Sequence, residues 1–250
     1  MKSIVVANWK MNPATFREAK KLFEDTRKIA ERSPRASFVV APPAIFLREL
    51  SSGYRGSKIA FAIQSAHPEA GGAHTGELSI RQAKDARARF VLIGHAERRA
   101  EGETDDDARK KVIAALALKM TPILCVGESV RTESGEQFEV VREQLRVGLG
   151  DVPASALSRI LVVYEPLWTI GADRAMDPRD MHQMAIFIRK CVVETHGEIG
   201  RSLKILYGGS VDETNAGAML KDGDVRGFLV GRASVNAAEF AKLLQAIESV

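Results

Sequence analysis

Eight short runs of β-branched and other apolar residues recur along the chain, separated by longer charged segments of helical period. They are Ile4–Ala7, Ser37–Ala41, Ile59–Ile63, Phe90–Ile93, Thr121–Val126, Ile160–Val163, Leu203–Tyr207 and Gly227–Val230. Each is nearly continuous in apolar residues rather than alternating, which is the pattern of parallel strands buried on both faces. Helix signals lie between them. Asn12-Pro13-Ala14 leads into Thr15–Arg32, with Pro13 suited to the first helical turn and Ser33-Pro34 beyond the end. Asp105–Lys119 repeats Ala, Val, Ile and Leu at three- and four-residue steps, and Asp177-Pro178 opens Arg179–His196 with Gly197 just past it. Asp212–Leu220 and Ala237–Glu248 follow, and Ala44–Leu50 and Ser79–Ala86 read as shorter helices. Eight βα repeats in 250 residues match an α/β fold of the closed (β/α)8 barrel type, with eight parallel strands. A doubly wound open sheet is the rival, but it uses fewer strands for one domain. No Pro/Gly/Ser-rich linker divides the chain, so residues 1–250 read as a single barrel domain.

Composition narrows the function. Hydrophobic residues make up 45% and charged residues 27%, which fits a chain with a packed core and excludes a disordered one. The longest apolar runs fall far short of the about 20 residues that cross a bilayer. The start, Met1-Lys2-Ser3-Ile4, meets Asn8 and Lys10 too soon for a secretory signal. The two cysteines, Cys125 and Cys191, lack CxxC spacing and any His cluster, so neither a disulfide framework nor a zinc site is expected. A cytoplasmic setting follows as the expectation. A net charge of +4 suits an anionic small substrate, and with 6% aromatics and no basic block among them nucleic acid is not expected.

In a barrel of this type chemistry sits on the loops after the strands, and the unusual residues fall there. After the first run come Asn8 and Lys10, two residues apart at a strand end and so on one side. Lys10 could neutralise a phosphate or a developing oxyanion, or be a solvated surface lysine. After the fourth run comes Gly94-His95-Ala96-Glu97-Arg98-Arg99. A histidine at a strand-to-helix turn faces helical N–H groups that disfavour imidazolium. It could donate to a carbonyl or enediolate oxygen, or simply cap the helix. Glu97 reads as a partner for Lys10 or an arginine, and Arg98 and Arg99 as structural ion-pair partners. After the sixth run, Glu165 ends a buried strand, where desolvation would raise its pKa and make it a candidate general base; the other reading is a carboxylate paired with an arginine. Pro166-Leu167-Trp168 then opens an apolar loop suited to a lid. Gly208-Gly209-Ser210 and Gly231-Arg232-Ala233-Ser234, after the seventh and eighth runs, are small enough for backbone N–H groups to converge on an anion.

The runs Asn8–Asn12, Gly94–Arg99, Tyr164–Gly171, Tyr207–Ser210 and Leu229–Ser234, with Thr75-Gly76-Glu77 and Cys125-Val126-Gly127-Glu128, resemble the signature segments of triosephosphate isomerase in order and spacing. That family is itself the usual illustration of a glutamate base beside a neutral histidine, so these roles come with the resemblance. It implies a TIM barrel in which Glu165 moves a proton between adjacent carbons, His95 polarises the carbonyl, and Asn8 and Lys10 stabilise the enediolate. Backbone N–H groups of Gly171, Ser210, Gly231 and Arg232 would hold the substrate phosphate. The lid would keep the enediolate phosphate from eliminating its phosphate group. No metal or organic cofactor is implied. The resemblance also implies a homodimer, the loop from Ser65 to Glu77 inserting near the second subunit's site so that Thr75 approaches Asn8 there. Glycolysis and gluconeogenesis are both open to a reversible isomerase.

Four departures stand out. Ala96 replaces the family's serine, a lost hydroxyl worth about 1 kcal/mol. The distal lid, Ala172-Asp173-Arg174-Ala175-Met176, lacks the usual small-residue hinge. Arg232 occupies the second glycine of the last phosphate loop, and the segment from Arg99 to Glu103 is one residue short and lacks an aromatic. An isomerase of four-carbon sugar phosphates, or a non-catalytic phosphometabolite-binding barrel, are the alternatives.

Overall fold

The computed structural model describes residues 2–169 and 175–250. Eight strands close into a barrel: β1 (Ser3–Asn8), β2 (Ala36–Ala41), β3 (Ile59–Ile63), β4 (Phe90–Ile93), β5 (Thr121–Val126), β6 (Leu161–Tyr164), β7 (Lys204–Tyr207) and β8 (Gly227–Val230). All neighbours run parallel, and β1 pairs with both β2 and β8 to complete the ring. The eight apolar runs are these strands, with ends displaced by no more than one residue. Around them lie α1 (Phe16–Glu31), α2 (Ala44–Gly53), α3 (Ile80–Asp85), α4 (Ala96–Ala100), α5 (Asp105–Ala117), α6 (Glu136–Leu149), α7 (Pro178–His196), α8 (Ala216–Asp222) and α9 (Ala237–Glu248). None of the described helices is long and apolar enough to cross a membrane.

Three helical details differ from the sequence expectation. Helix α6 was absent from it, although Phe138, Val141, Leu145 and Leu149 repeat at helical steps. Its N-cap is Gly135, which offers no side-chain cap to mark the start. Helix α1 does not take Pro13 into its first turn. It is capped by Thr15, whose hydroxyl accepts from Glu18 N–H while the Glu18 carboxylate accepts from Thr15 N–H, a reciprocal pair worth about 1 kcal/mol. Helix α8 begins at Ala216 rather than Asp212, because the Asp212 carboxylate holds Thr214 in a turn first.

Side chains alternate along a strand, and this alternation decides what reaches the mouth of the barrel. One apolar cluster fills the interior with Val6, Val39, Ala62, Leu92, Cys125, Val163, Leu206 and Leu229. The residues beside them, such as Val5, Val40, Val91, Leu124 and Val162, face outward into the layer beneath the helices. Counting by twos from the inner set carries Asn8, Lys10, Gln64, Glu165, Gly208 and Gly231 to the inner rim at the carboxyl ends of the strands.

Candidate active site

His95 breaks that count, and Gly94 is the reason. From Leu92, position 94 faces inward and 95 outward. Gly94 takes φ +68, a left-handed conformation that a side chain resists, and the turn brings His95 inward. The turn is held on both sides: Gly94 N–H donates to Glu103 Oε1 at 2.8 Å, and Arg99 Nε donates to Gly94 O at 2.8 Å. A Cβ on Gly94 would lie 2.9 Å from the Arg99 guanidinium and 3.0 Å from Cys125 O. His95 then serves as N-cap of α4, its Nδ1 accepting from Glu97 N–H at 3.2 Å. An accepting Nδ1 assigns the proton to Nε2 and makes the ring a neutral donor.

That Nε2 lies 3.2 Å from Glu165 Oε1 and 3.4 Å from Asn8 Nδ2. With the proton on Nε2, that nitrogen sits in close contact with the Glu165 carboxylate, and the Asn8 amide lies at the long end of hydrogen-bonding distance. Glu165 is 2% exposed, and its Oε2 accepts from Ala96 N–H at 3.1 Å. Burial pushes its carboxyl above the ordinary glutamate range, while His95, the Ala96 N–H, Cys125 and Lys10 pull the other way. Gly208 sets the space around the carboxylate stem, since a Cβ there would lie 2.7 Å from Glu165 Cγ.

Asn8 and Lys10 share the side expected of them. Lys10 has φ +53, which costs a residue with a Cβ about 1–2 kcal/mol. The loop is held in that shape by Asn8 Oδ1, which accepts from Lys10 N–H at 3.1 Å, and by Gln64, whose Nε2 donates to Lys10 O at 2.9 Å and Ala41 O at 2.8 Å. Lys10 Nζ pairs with Glu97 Oε1 at 2.7 Å. Arg98 and Arg99 pair with Glu101 and Asp105.

These groups open into a cavity of about 700 Å³, also lined by Gly209, Ser210, Gly231 and Arg232. Asn8, Lys10, His95, Glu165, Ser210, Gly231 and Arg232 are therefore gathered at one mouth. Gly171, the remaining expected phosphate contact, lies outside the described residues, as do Ala172, Asp173 and Arg174. The proximal part of the expected lid is anchored. Leu167–Thr169 forms a short 3-10 turn, and buried Glu128 accepts from Tyr164 Oη at 2.8 Å, from Trp168 Nε1 at 2.9 Å and, through its backbone carbonyl, from Leu167 N–H at 2.9 Å.

A carboxylate raised by burial, touching a neutral imidazole donor and facing a lysine and an asparagine at the bottom of a cavity, is equipped to take a carbon-bound proton and stabilise an oxyanion. The family model described as triosephosphate isomerase matches residues 3–247. The chain is 39% identical to the triosephosphate isomerase of Granulibacter bethesdensis over 98% of this chain and 99% of that one. It is 37% identical to the triosephosphate isomerase of Endomicrobium trichonymphae over 98% of each chain. The chain belongs to the triosephosphate isomerase family. Its reaction is the reversible interconversion of D-glyceraldehyde 3-phosphate and dihydroxyacetone phosphate, an intramolecular aldose–ketose isomerisation, and the four-carbon alternative is not favoured.

The departures from the family pattern can now be placed. At Ala96 the backbone N–H still reaches Glu165, so the lost hydroxyl leaves the base held. In the shortened segment Gly102 takes φ +100, and Glu103 reaches back to accept from Gly94 N–H. Arg232 is exposed on the cavity wall. Gln64, Glu103 and the carboxylate of Glu128 carry support roles that the sequence reading did not assign. Gln64 was open to the same every-second-residue count that found Asn8 and Lys10. Glu103 reaches back nine positions to Gly94 around a turn at Gly102, and Glu128 is recognisable only once the ends of β5 and β6 are brought together.

Proposed function

We propose that Glu165 is the base of the isomerisation and His95 its electrophile. Glu165 takes the proton from the carbon beside the carbonyl; the C–H electron pair forms the enediolate double bond, and the carbonyl oxygen takes the charge. His95 Nε2–H donates to that oxygen, with Asn8 and Lys10 adding donors to the same charge. Glu165 returns the proton to the adjacent carbon while the imidazole moves the hydroxyl proton between the two oxygens. The observation that carries this reading is the 3.2 Å contact between buried Glu165 and the donor nitrogen of His95. Backbone N–H groups of Gly171, Ser210, Gly231 and Arg232 would hold the phosphate, and no metal or organic cofactor takes part.

The same reading has one barrel domain spanning residues 1–250, working in the cytoplasm as a homodimer. Four exposed hydrophobic residues after β1, β2 and β3 support the dimer. Met11 is 92% and Ile45 80% exposed, Phe16 and Leu78 are exposed too, and Leu78 directly follows the 65–77 loop. That loop folds back on itself through His67 N–H to Leu78 O at 2.7 Å, leaving Thr75 exposed at its tip for a second subunit.

Turnover of glyceraldehyde 3-phosphate measured beside four-carbon sugar phosphates tests the assignment. Efficient three-carbon turnover lost in Glu165→Gln supports it. Turnover confined to the four-carbon compounds would overturn it. Sedimentation of the purified chain tests the dimer, which a monomer at micromolar concentration would contradict.

A further inference from the structure

Among the described residues, the cavity that would receive the substrate phosphate is poor in available positive charge. Among the described residues three cations line it: Lys10, Arg232 and Lys242. Besides Glu165, the carboxylates of Asp212, Glu213 and Glu239 line it too. Among the described lining residues negative charge therefore outweighs positive. Lys10 is committed to Glu97 at 2.7 Å, and Lys242 faces Glu213 at 3.9 Å. Arg232 forms no ion pair and no side-chain hydrogen bond with the described residues. It directly follows Gly231 and lines the same cavity as Lys10. Its charge is also felt at Asp212 on the neighbouring loop: burial pushes that carboxyl up, and donors from Thr214 and Asn215 together with the charge of Arg232 outweigh the effect.

We infer that the Arg232 guanidinium binds the substrate phosphate directly in this chain, adding a side-chain cation to a site otherwise made of backbone N–H groups. The inference rests on the isomerase reading above and deepens it at the phosphate. A planar guanidinium offers paired N–H donors that match phosphate oxygens, and it keeps its charge at every working pH. It also offsets the carboxylate of Asp212 for an incoming dianion. Because Arg232 is exposed, solvent screening limits the effect and makes it depend on salt.

Arg232→Gln removes the charge and leaves the backbone N–H in place, so it tests the side chain rather than the peptide. Arg232→Lys keeps the charge without the fork. The assay reads the KM for glyceraldehyde 3-phosphate and competitive inhibition by inorganic phosphate, at about 10 mM and about 150 mM salt. In Arg232→Gln both constants are expected to rise about fivefold at low salt, with a smaller rise at high salt and a smaller change in kcat than in KM. Arg232→Lys should recover part of the loss. If Arg232→Gln turns over substrate with the same KM, phosphate inhibition and salt dependence as the parent, the inference is wrong while the isomerase reading stands. A parent protein that neither turns over triose phosphate nor binds phosphate at this site would overturn both.

Discussion

Replacing Gly208 by alanine would place a Cβ 2.7 Å from Glu165 Cγ and 2.6 Å from Val163 Cγ1. Ordinary contact begins near 3.4 Å, so relief needs about 0.8 Å from Val163 and about 0.7 Å from Glu165. Val163 is fully buried among the apolar residues of the barrel interior. Glu165 has the open cavity beside it and is the group that moves. A shift of that size on the reacting carboxylate, where about 1 Å of misplacement costs about 10²-fold, predicts a kcat lower by about 10- to 100-fold. The residual overpacking predicts a loss of about 1–3 kcal/mol in stability, and hence a fall in Tm of several degrees. Steady-state kinetics and a thermal melt measure the two effects. Gly53→Ala is the control, since a Cβ there meets nothing within 4 Å. If Gly208→Ala kept kcat within about twofold of the parent while Gly53→Ala behaved the same way, the argument that Gly208 sets the position of the base would be refuted.

Two further outcomes follow from the same geometry. Glu128→Ala leaves Tyr164 Oη and Trp168 Nε1 without their acceptor and should cost about 2–4 kcal/mol in urea unfolding, with Trp168 emission shifted toward that of a wetter indole; unchanged stability would remove Glu128 from the lid anchor. Burial raises Glu165 above the ordinary 4.5 of a glutamate, so an NMR titration of labelled glutamate should place its midpoint above that value. The folded protein then holds this proton more tightly than the unfolded chain, and stability from this group falls as pH rises from the unfolded value to the folded one. The base works only when deprotonated, so the acid limb of kcat/KM should move upward in the same sense.

Much of the barrel was legible because its strands are buried on both faces and therefore read as continuous apolar runs. Helix α6 was not, since it starts at Gly135 without the polar cap that marks α1 at Thr15 or α5 at Thr104. In the site, Asn8, Lys10 and Glu165 follow from position at strand ends and alternation alone. His95 does not follow from alternation, because the left-handed turn at Gly94 reverses the parity. The pairing of Lys10 with Glu97 was among the partners expected for that glutamate. Alternation carries Gln64 to the inner rim, but its bond to Lys10 spans 54 positions and leaves no local trace.

The most direct test of the account is single-turnover isomerisation by Glu165→Gln beside the parent, with inorganic phosphate binding measured on both. The account predicts that the variant still binds phosphate but loses isomerisation by at least about 10²-fold, because the amide cannot accept the carbon-bound proton. Isomerisation within about tenfold of the parent, with phosphate still bound, would contradict the assignment of Glu165 as the base.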